Sequence, residues 1–320
     1  MIYEESLAWL YSTQQFGIKL GLENIRSLLE GLGDPRERLA FLHVAGTNGK
    51  GSVCAMLDAI LRASGRRTGL YTSPHLVDFR ERVRVDGEKI PPPAVASGLT
   101  MLREMSAGWR HSPTYFEIAT ALALYHFAEE RCELVVLETG MGGALDATNA
   151  VLPLVSVITP IALDHTRWLG GTLAEIAGEK AGIIKAGVPV VSARQAPEAA
   201  AVLAQRAASA GSPLEFIGVP FEREEVGLRG IHQRENAALA VAALTAAGLD
   251  VSDEAVRHGL RDVRWPGRFQ VVNERIVLDG CHNPHAAEHL LVNWIEAFGP
   301  EKATVIFGAL GDKDYAAMLR

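Results

Sequence analysis

Short apolar runs alternate with stretches of helical periodicity along most of the chain. The apolar runs, rich in Val, Leu and Ile, predict strands buried on both faces, at residues 39–44, 68–71, 134–137, 154–158 and 189–192. The periodic stretches predict helices at residues 52–64, 115–130, 173–181 and 197–208. This alternation is typical of an α/β fold, in which a mostly parallel sheet is covered by helices. A hairpin with Asp-Gly at its turn is expected at residues 83–90, at the periphery of the fold.

A change of pattern at Pro266-Gly267 predicts a domain boundary. Two Ala-rich helices are predicted before it, at residues 234–247 and 253–260. Three short strands are predicted after it, at residues 270–272, 276–278 and 303–307. We therefore divide the chain into domains at residues 1–266 and 267–320. Because an independent α/β domain usually needs on the order of 100 residues, we expect the second domain to be incomplete.

The amino-acid composition indicates which kinds of molecule the protein binds. Hydrophobic residues make up 48% of the chain and charged residues 22%, values typical of a globular protein. The chain has 31 Lys and Arg against 38 Asp and Glu, a formal net charge of −7. This balance provides no positive surface for nucleic acid or an anionic membrane, so we expect small-molecule partners.

The cysteines and the N-terminus predict a cytoplasmic protein. Cys54, Cys132 and Cys281 are scattered, a pattern that indicates neither a disulfide framework nor a zinc site. Residues 1–5 lack the basic and apolar regions of a signal peptide. No apolar stretch approaches the roughly 18 residues needed to span a bilayer, so we expect no anchor.

A glycine-rich turn between the first predicted strand and the first predicted helix predicts a phosphate-binding loop. Its residues are Gly46, Thr47, Asn48, Gly49, Lys50, Gly51 and Ser52. Glycines allow backbone N–H groups to point at one anion, Lys50 supplies a charge for the outer phosphates, and the Ser52 hydroxyl can ligate Mg²⁺. The spacing is unusual, because Val44 replaces a glycine and Gly51 separates Lys50 from Ser52. A plain turn with a solvated lysine is the alternative, and the strand before and helix after the loop favour nucleotide binding.

This loop, followed by Tyr71-Thr72-Ser73-Pro74-His75-Leu76, resembles the folylpolyglutamate synthase and dihydrofolate synthase family, a branch of the Mur-type ATP-dependent amide ligases. Further blocks that agree with the family lie in order at residues 16–23, 138–149, 163–170, 179–185 and 278–285. The resemblance implies a Mur-ligase-like ATP- and pterin-binding domain at 1–266, and the N-terminal part of a Rossmann-like glutamate-ligase domain at 267–320. It also implies that the glutamate site lies largely after Arg320, so we expect this site to be incomplete in the chain.

Side chains that follow predicted strands suggest a metal site. Ser73, Glu138 and His165 each follow a strand, and the carboxyl ends of parallel strands meet at one edge of a sheet. Oxygen ligands with one imidazole suit Mg²⁺ or Mn²⁺ better than zinc. Taken alone, Glu138 could be an exposed strand-end carboxylate, and His165 a capping or core histidine held by Asp164. The resemblance implies that Ser73 and Glu138 serve one Mg²⁺ and His165 a second, and that Lys180 is carbamylated and helps to hold the second.

The resemblance also implies the remaining site residues. Asn236 corresponds to a residue that contacts adenine, Arg268 to one that contacts the γ-phosphate, and Asp279 and His282 to contacts with ribose and phosphate. The pterin-binding positions are Gly21, Leu22, Thr114, Phe116, Asp146 and Ala147. Phe116 could equally belong to the core, and each of the others has an ordinary alternative as a surface or capping residue.

The implied reaction joins L-glutamate to dihydropteroate or to folates. The substrate carboxylate attacks the γ-phosphate of ATP, and the resulting acyl phosphate is attacked by the amine of glutamate. Lys50, Lys180, His165 and Arg268 are the expected catalytic residues, and the enzyme is expected to be a monomer. Two alternatives remain open: a Mur ligase with another carboxylate substrate, and a non-catalytic nucleotide-binding protein. Whether the chain forms dihydrofolate, extends polyglutamates, or does both is also open.

Overall fold

The computed structural model describes residues 1–16, 21–222, 225–273, 275–311 and 313–320. Residues 17–20 of the first family block therefore lie outside the described residues. Within the described ranges, no helix combines the length and the apolar character that crossing a membrane requires.

Helices and strands alternate through the first 217 residues. The helices are α1 (Tyr3–Ser12), α2 (Glu23–Gly31), α3 (Lys50–Ala63), α4 (Pro92–Met105), α5 (Tyr115–Glu129), α6 (Thr166–Leu169), α7 (Leu173–Lys180), α8 (Pro197–Ser209), α9 (Ile231–Ala246), α10 (Asp253–Asp262), α11 (Pro284–Phe298) and α12 (Tyr315–Met318). The strands are β1 (Ala40–Ala45), β2 (Thr68–Tyr71), β3 (Val83–Val85), β4 (Glu88–Lys89), β5 (Leu134–Glu138), β6 (Val155–Ile158), β7 (Val190–Ala193), β8 (Leu214–Ile217), β9 (Gln270–Val272) and β10 (Ile276–Leu278).

One mixed sheet dominates the described part of the chain, with strand order β4-β3-β2-β5-β1-β6-β7-β8. Strands β2, β5, β1, β6, β7 and β8 run parallel, and the hairpin of β3 and β4 is antiparallel at one edge. Val44 lies opposite Glu138, and Tyr71 lies opposite Leu137. The three strands therefore end side by side, which brings the loops after them to a common edge.

Helix α3, which follows the glycine-rich turn, is the most enclosed element. Every residue from Gly51 to Leu61 is buried, as expected for a helix that is packed on all sides. It lies against the sheet through Leu42 and Val136, while Leu239 of α9 and Leu260 of α10 belong to the same apolar cluster. The Ala-rich helices that precede Pro266 thus complete the apolar core around α3.

Most predicted elements are observed within one or two residues of their expected limits, and two predictions need correction. The hairpin lies at the periphery as expected, where β3 pairs with β2 and forms one edge of the main sheet with β4. Residues 303–307 do not form a strand, because β9 and β10 pair only with each other in the described chain and offer no neighbour. The helix expected at 234–247 already begins at Ile231.

A glycine in α10 allows close approach to α3. A Cβ atom on Gly259 would lie 2.6 Å from the backbone N of Ile60, whereas one on Gly178 of α7 would meet open space. We expect Gly259→Ala to destabilise the fold by about 1–3 kcal/mol through overpacking. We expect Gly178→Ala, the matched control, to be neutral or stabilising by up to about 1 kcal/mol, because alanine favours helix. Urea unfolding of both variants measures the difference, and equal stabilities would contradict this packing.

Candidate functional site

The glycine-rich turn is built as a concave loop between β1 and α3. Gly49 has φ +89° and stands at the N-cap of α3, a conformation that favours glycine. The backbone N–H groups of Thr47 and Asn48 both donate to the carbonyl of Pro160, at 3.0 and 3.2 Å. The Lys50 ammonium donates to the Gly46 and Thr47 carbonyls at 3.2 and 3.3 Å. A positive charge therefore lies over the loop at the start of a helix, which is where a phosphate binds.

Two buried oxygen groups next to this loop fit a hard cation. Ser52 is 1% exposed, and its Oγ has no hydrogen-bond partner in the described chain. Glu138 is 3% exposed, accepts a hydrogen bond from the Ser73 backbone N–H at 3.0 Å, and has a pKa raised by burial and opposed by the charge of Lys50. A desolvated carboxylate and an unpartnered hydroxyl are what a bound Mg²⁺ would satisfy.

Lys180 is buried at the C-terminal end of α7. Its side chain is 4% exposed, and its Nζ donates to the carbonyl of Gly46 at 2.7 Å. Burial, together with repulsion from Lys50, lowers the pKa of Lys180 to about 7. A solvated surface lysine, the ordinary alternative, is thereby excluded for this position.

His165 and Asp164 lie on the loop after β6. His165 has φ +50° and caps α6, and its backbone N–H donates to the Asp164 carboxylate at 2.8 Å. Ser73, Glu138, His165 and Lys180 all line one cavity with the glycine-rich loop, which we call the phosphate cavity. No group of three or more His, Cys, Asp or Glu side chains suited to a metal is found among the described residues. The predicted metal site therefore depends on its hydroxyl and lysine members.

The predicted nucleotide contacts outside the loop reach the same cavity. Asn236, Arg268, Asp279 and His282 all line it. Asn236 is buried beside Gly49, and a Cβ atom on that glycine would lie 2.7 Å from its Oδ1. Asp279 has a local structural role as well, because it accepts hydrogen bonds at 2.8 Å from the backbone of Phe269 and of Cys281.

Contacts that the sequence analysis did not identify join the two predicted domains at this cavity. Asn283 donates to Asn48 Oδ1 at 2.9 Å and to Asp164 Oδ2 at 3.2 Å. Lys313 donates to Asp164 Oδ1 at 2.6 Å, and His282 Nε2 lies 3.4 Å from Asp164 Oδ2. Burial raises the pKa of the Asp164 carboxyl, but the hydrogen bonds with His282 and Lys313 outweigh this effect and hold the pKa well below its usual value. The only signal in the sequence was that Asn283 follows His282 in a block that resembles the family.

A second cavity, which we call the aromatic cavity, lies beside the first and has a volume of about 760 Å³. Tyr115, Phe116, Trp168 and Leu145 form its apolar walls. Its volume is within the range of small-molecule sites. Five of the predicted pterin positions line it, Gly21, Thr114, Phe116, Asp146 and Ala147.

The structure adds detail on two of the predicted pterin positions, Leu22 and Asp146, and both stay predictions. Leu22 is not among the residues that line the aromatic cavity, because it packs against the apolar core at the start of α2. Asp146 lines the cavity, but its Oδ2 accepts the backbone N–H groups of Gly140 and Met141, both at 2.9 Å, and its Oδ1 accepts from Thr148. Much of the hydrogen-bonding capacity of Asp146 therefore serves to fix the loop.

The two cavities share a wall. Ser73-Pro74, Gly140-Met141, His165, Leu169 and His282 line both. A molecule in the aromatic cavity could therefore place one end next to a phosphate held by the glycine-rich loop. This arrangement suits transfer between a ring compound and a nucleotide.

Comparisons with known proteins agree with this geometry. The Mur ligase middle domain matches residues 44–191, and the Mur ligase glutamate ligase domain matches residues 267–320. The dihydrofolate synthase/folylpolyglutamate synthase of Bacillus subtilis is 37% identical over 99% of this chain and 82% of its own length. The protein of that name from Escherichia coli is 39% identical over 98% of this chain and 77% of its own length. A probable bifunctional folylpolyglutamate synthase/dihydropteroate synthase of Haloferax volcanii is 40% identical, and the chain spans 42% of its length.

Solved structures give the same result. The complex of E. coli FolC with DHPP and ADP has a TM-score of 0.88 and 38% identity, over 98% of this chain and 80% of that one. An FPGS-AMPPCP-folate complex has a TM-score of 0.91 and 35% identity, over 100% of this chain and 86% of that one. The α/β fold and the family inferred from the sequence are thereby confirmed. The chain belongs to the folylpolyglutamate synthase and dihydrofolate synthase family of ATP-dependent, amide-forming ligases.

Proposed function

We propose that the protein ligates L-glutamate to dihydropteroate, to folyl(poly)glutamates, or to both, with ATP as the activating substrate. The observation that carries this proposal is the shared wall between the phosphate cavity and the aromatic cavity. It supports a reaction in which a carboxylate at one end of a pterin compound meets the γ-phosphate of ATP.

In this reaction the chain contributes mainly positioning and charge. The substrate carboxylate oxygen forms a bond to the γ-phosphorus and ADP leaves. The amine of glutamate then attacks the acyl carbon, loses a proton and displaces inorganic phosphate. We assign Lys50 and Arg268 to the negative charge that develops on the transferred phosphoryl group, and the N–H groups of the first turn of α3 to its orientation. Asn236, Asp279 and His282 are assigned to the nucleoside, from their place in the same cavity.

The oxygen groups of the phosphate cavity would hold Mg²⁺, or Mn²⁺ in its place. Ser52, Ser73 and Glu138 would serve one ion and His165, with Lys180, a second. Such ions offset the charge of the phosphates. The proposal is supported by the unpartnered Ser52 hydroxyl and by the burial of Glu138.

We propose that Lys180 is carbamylated. Its neutral amine would form an N–C bond to CO₂ and release a proton, so that a buried cation becomes an anion. The burial of the side chain and the low pKa support this step, because both favour the neutral amine. That the enzyme is monomeric and cytoplasmic, and contacts neither nucleic acid nor membrane, remains our prediction from the sequence.

A panel of substrates tests the proposal on the full-length protein. We expect ADP release that requires L-glutamate together with dihydropteroate or a folate, and a product heavier by one glutamyl residue in mass spectrometry. Without glutamate, hydroxylamine should trap the acyl phosphate as a hydroxamate. ADP release only with a UDP-muramoyl substrate would instead indicate the Mur ligase alternative, and nucleotide binding without turnover on any substrate would indicate a non-catalytic protein.

A further inference from the structure

Arg82, which immediately precedes β3, has a guanidinium group in an unusual setting. The residue is 8% exposed and lines the aromatic cavity. Its Nε donates to Nδ1 of His75 at 2.8 Å, and its Cζ lies 5.3 Å from the centroid of the Tyr115 ring. Among the described residues, no carboxylate lies within ion-pairing distance of this guanidinium, in contrast to Arg80, which pairs with Asp78 at 2.5 Å. Arg82 thus has no ion-pair partner in the part of the chain that is described, and its charge acts only at longer range on Glu138, where it opposes the rise in pKa that burial causes.

Three carboxylates line the aromatic cavity, those of Glu117, Asp146 and Glu179, and none of them lies within ion-pairing distance of Arg82. Asp146 accepts hydrogen bonds from Gly140, Met141 and Thr148. Glu117 accepts from the backbone and the hydroxyl of Thr114, at 2.7 and 2.9 Å. A cation removed from water without an anion is costly, so a ligand that brings a carboxylate would be favoured here.

The backbone fixes where such a carboxylate would lie. The N–H of Thr72 donates to the carbonyl of Arg82 at 3.0 Å, which places Arg82 beside the Ser73-Pro74 segment. That segment belongs to the wall shared with the phosphate cavity. Contacts with His75 and Tyr115 restrict the guanidinium, so little side-chain entropy remains to be lost on binding.

We propose that Arg82 binds the carboxylate-bearing end of the pterin substrate at the junction of the two cavities, an inference that rests on the proposed function. The planar guanidinium donates charge-assisted hydrogen bonds to the carboxylate oxygens. The aromatic walls hold the ring system, and Arg82 holds the acid end next to the phosphate. Arg82 thereby selects for acids over neutral analogues.

Two ligands that differ in one group test this inference. Pteroate and its carboxamide are titrated into the full-length protein with a non-hydrolysable ATP analogue and without glutamate. In Arg82→Gln we expect the affinity for pteroate to fall about 10- to 100-fold, as for loss of a hydrogen bond to a charged group, while the affinity for the carboxamide is unchanged. Arg82→Lys should lose less, because an ammonium keeps the charge but not the fork geometry. Arg80→Gln, the matched control in the same turn, should bind pteroate as the wild type does.

Other results would overturn the inference. An equal loss of affinity for both ligands, accompanied by a lower melting temperature, would mean that Arg82 only supports the fold. Unchanged affinity for both ligands would mean that Arg82 does not contact the pterin substrate. A loss confined to L-glutamate titrated alone would move Arg82 to the amino-acid substrate. If Arg82→Gln does not fold, the same comparison is made with Arg82→Lys. Failure of the wild-type protein to bind either pterin ligand would overturn the proposed function itself, together with this inference.

Discussion

Lys50→Ala is expected to lower turnover by roughly 100- to 1000-fold and to leave the fold intact. A preorganised charge in a site shielded from water is worth on the order of 3–4 kcal/mol to a transition state. The Lys50 ammonium lies over the loop carbonyls of Gly46 and Thr47, where the negative charge of the phosphates would develop. Initial rates of ADP release at saturating substrates, with circular dichroism for the fold, measure the effect.

Two controls accompany this variant. Lys50→Met keeps the apolar stem without the charge and should lose as much activity. Lys89→Ala removes an exposed lysine that lies 3.5 Å from Glu81, far along the chain from the loop, and should retain wild-type turnover. Wild-type turnover in Lys50→Ala would remove this lysine from the phosphate site.

Lys180→Ala is expected to lower activity by about 10- to 100-fold, as for loss of a group that supports a metal site. The side chain is buried beside Gly46, so its removal leaves a space next to the phosphate loop. If the wild-type residue is a carbamate, acetate or another small carboxylic acid should fill that space and restore part of the activity. Activity measured against added acid, and carbon-13 NMR of protein equilibrated with labelled CO₂, test the two parts of this prediction.

Two control variants distinguish loss of the negative charge at position 180 from loss of the side-chain volume there. Lys180→Met fills the space and should not respond to added acid. Lys185→Ala, at a half-buried lysine that donates to the Asn149 carbonyl, should keep an active enzyme. An active wild-type protein whose Lys180 carries no carbamate would contradict the assignment.

The sequence predicts well those parts of the site that are local in the chain. The unit of β1, glycine-rich loop and α3 was predicted because an apolar run, three glycines and a helical pattern follow one another directly. Ser73 and Glu138 were placed together because parallel strands end at one edge, and the register of β2 and β5 agrees. The resemblance to the family implied the roles of Lys180, Asn236 and Arg268, which the spacing of residues in the sequence does not indicate.

Other features depend on contacts between distant residues, which the sequence alone does not reveal. Asp164 and Lys313 are 149 positions apart, and nothing in either segment indicates that they pair. Asp146 lines the aromatic cavity, but the sequence does not show that its oxygens also accept backbone N–H groups of its own loop. Nothing in the sequence distinguishes Arg82 from Arg80 and Arg84, because the absence of an ion-pair partner for Arg82 among the described residues is visible only in the structure.

The carboxylate of Asp164 connects the predicted second domain to the phosphate cavity. Its Oδ1 accepts both the Lys313 ammonium and the backbone N–H of His165, and its Oδ2 accepts Asn283. The residue that receives the second domain thus also sets the backbone of a predicted metal ligand. By thermodynamic linkage, a ligand that favours the contact between the predicted domains binds more tightly when that contact is formed. The ligand then raises the equilibrium constant for the contact by the same factor. A nucleotide that contacts residues of both predicted domains would therefore bind more tightly when Asp164 holds these domains together.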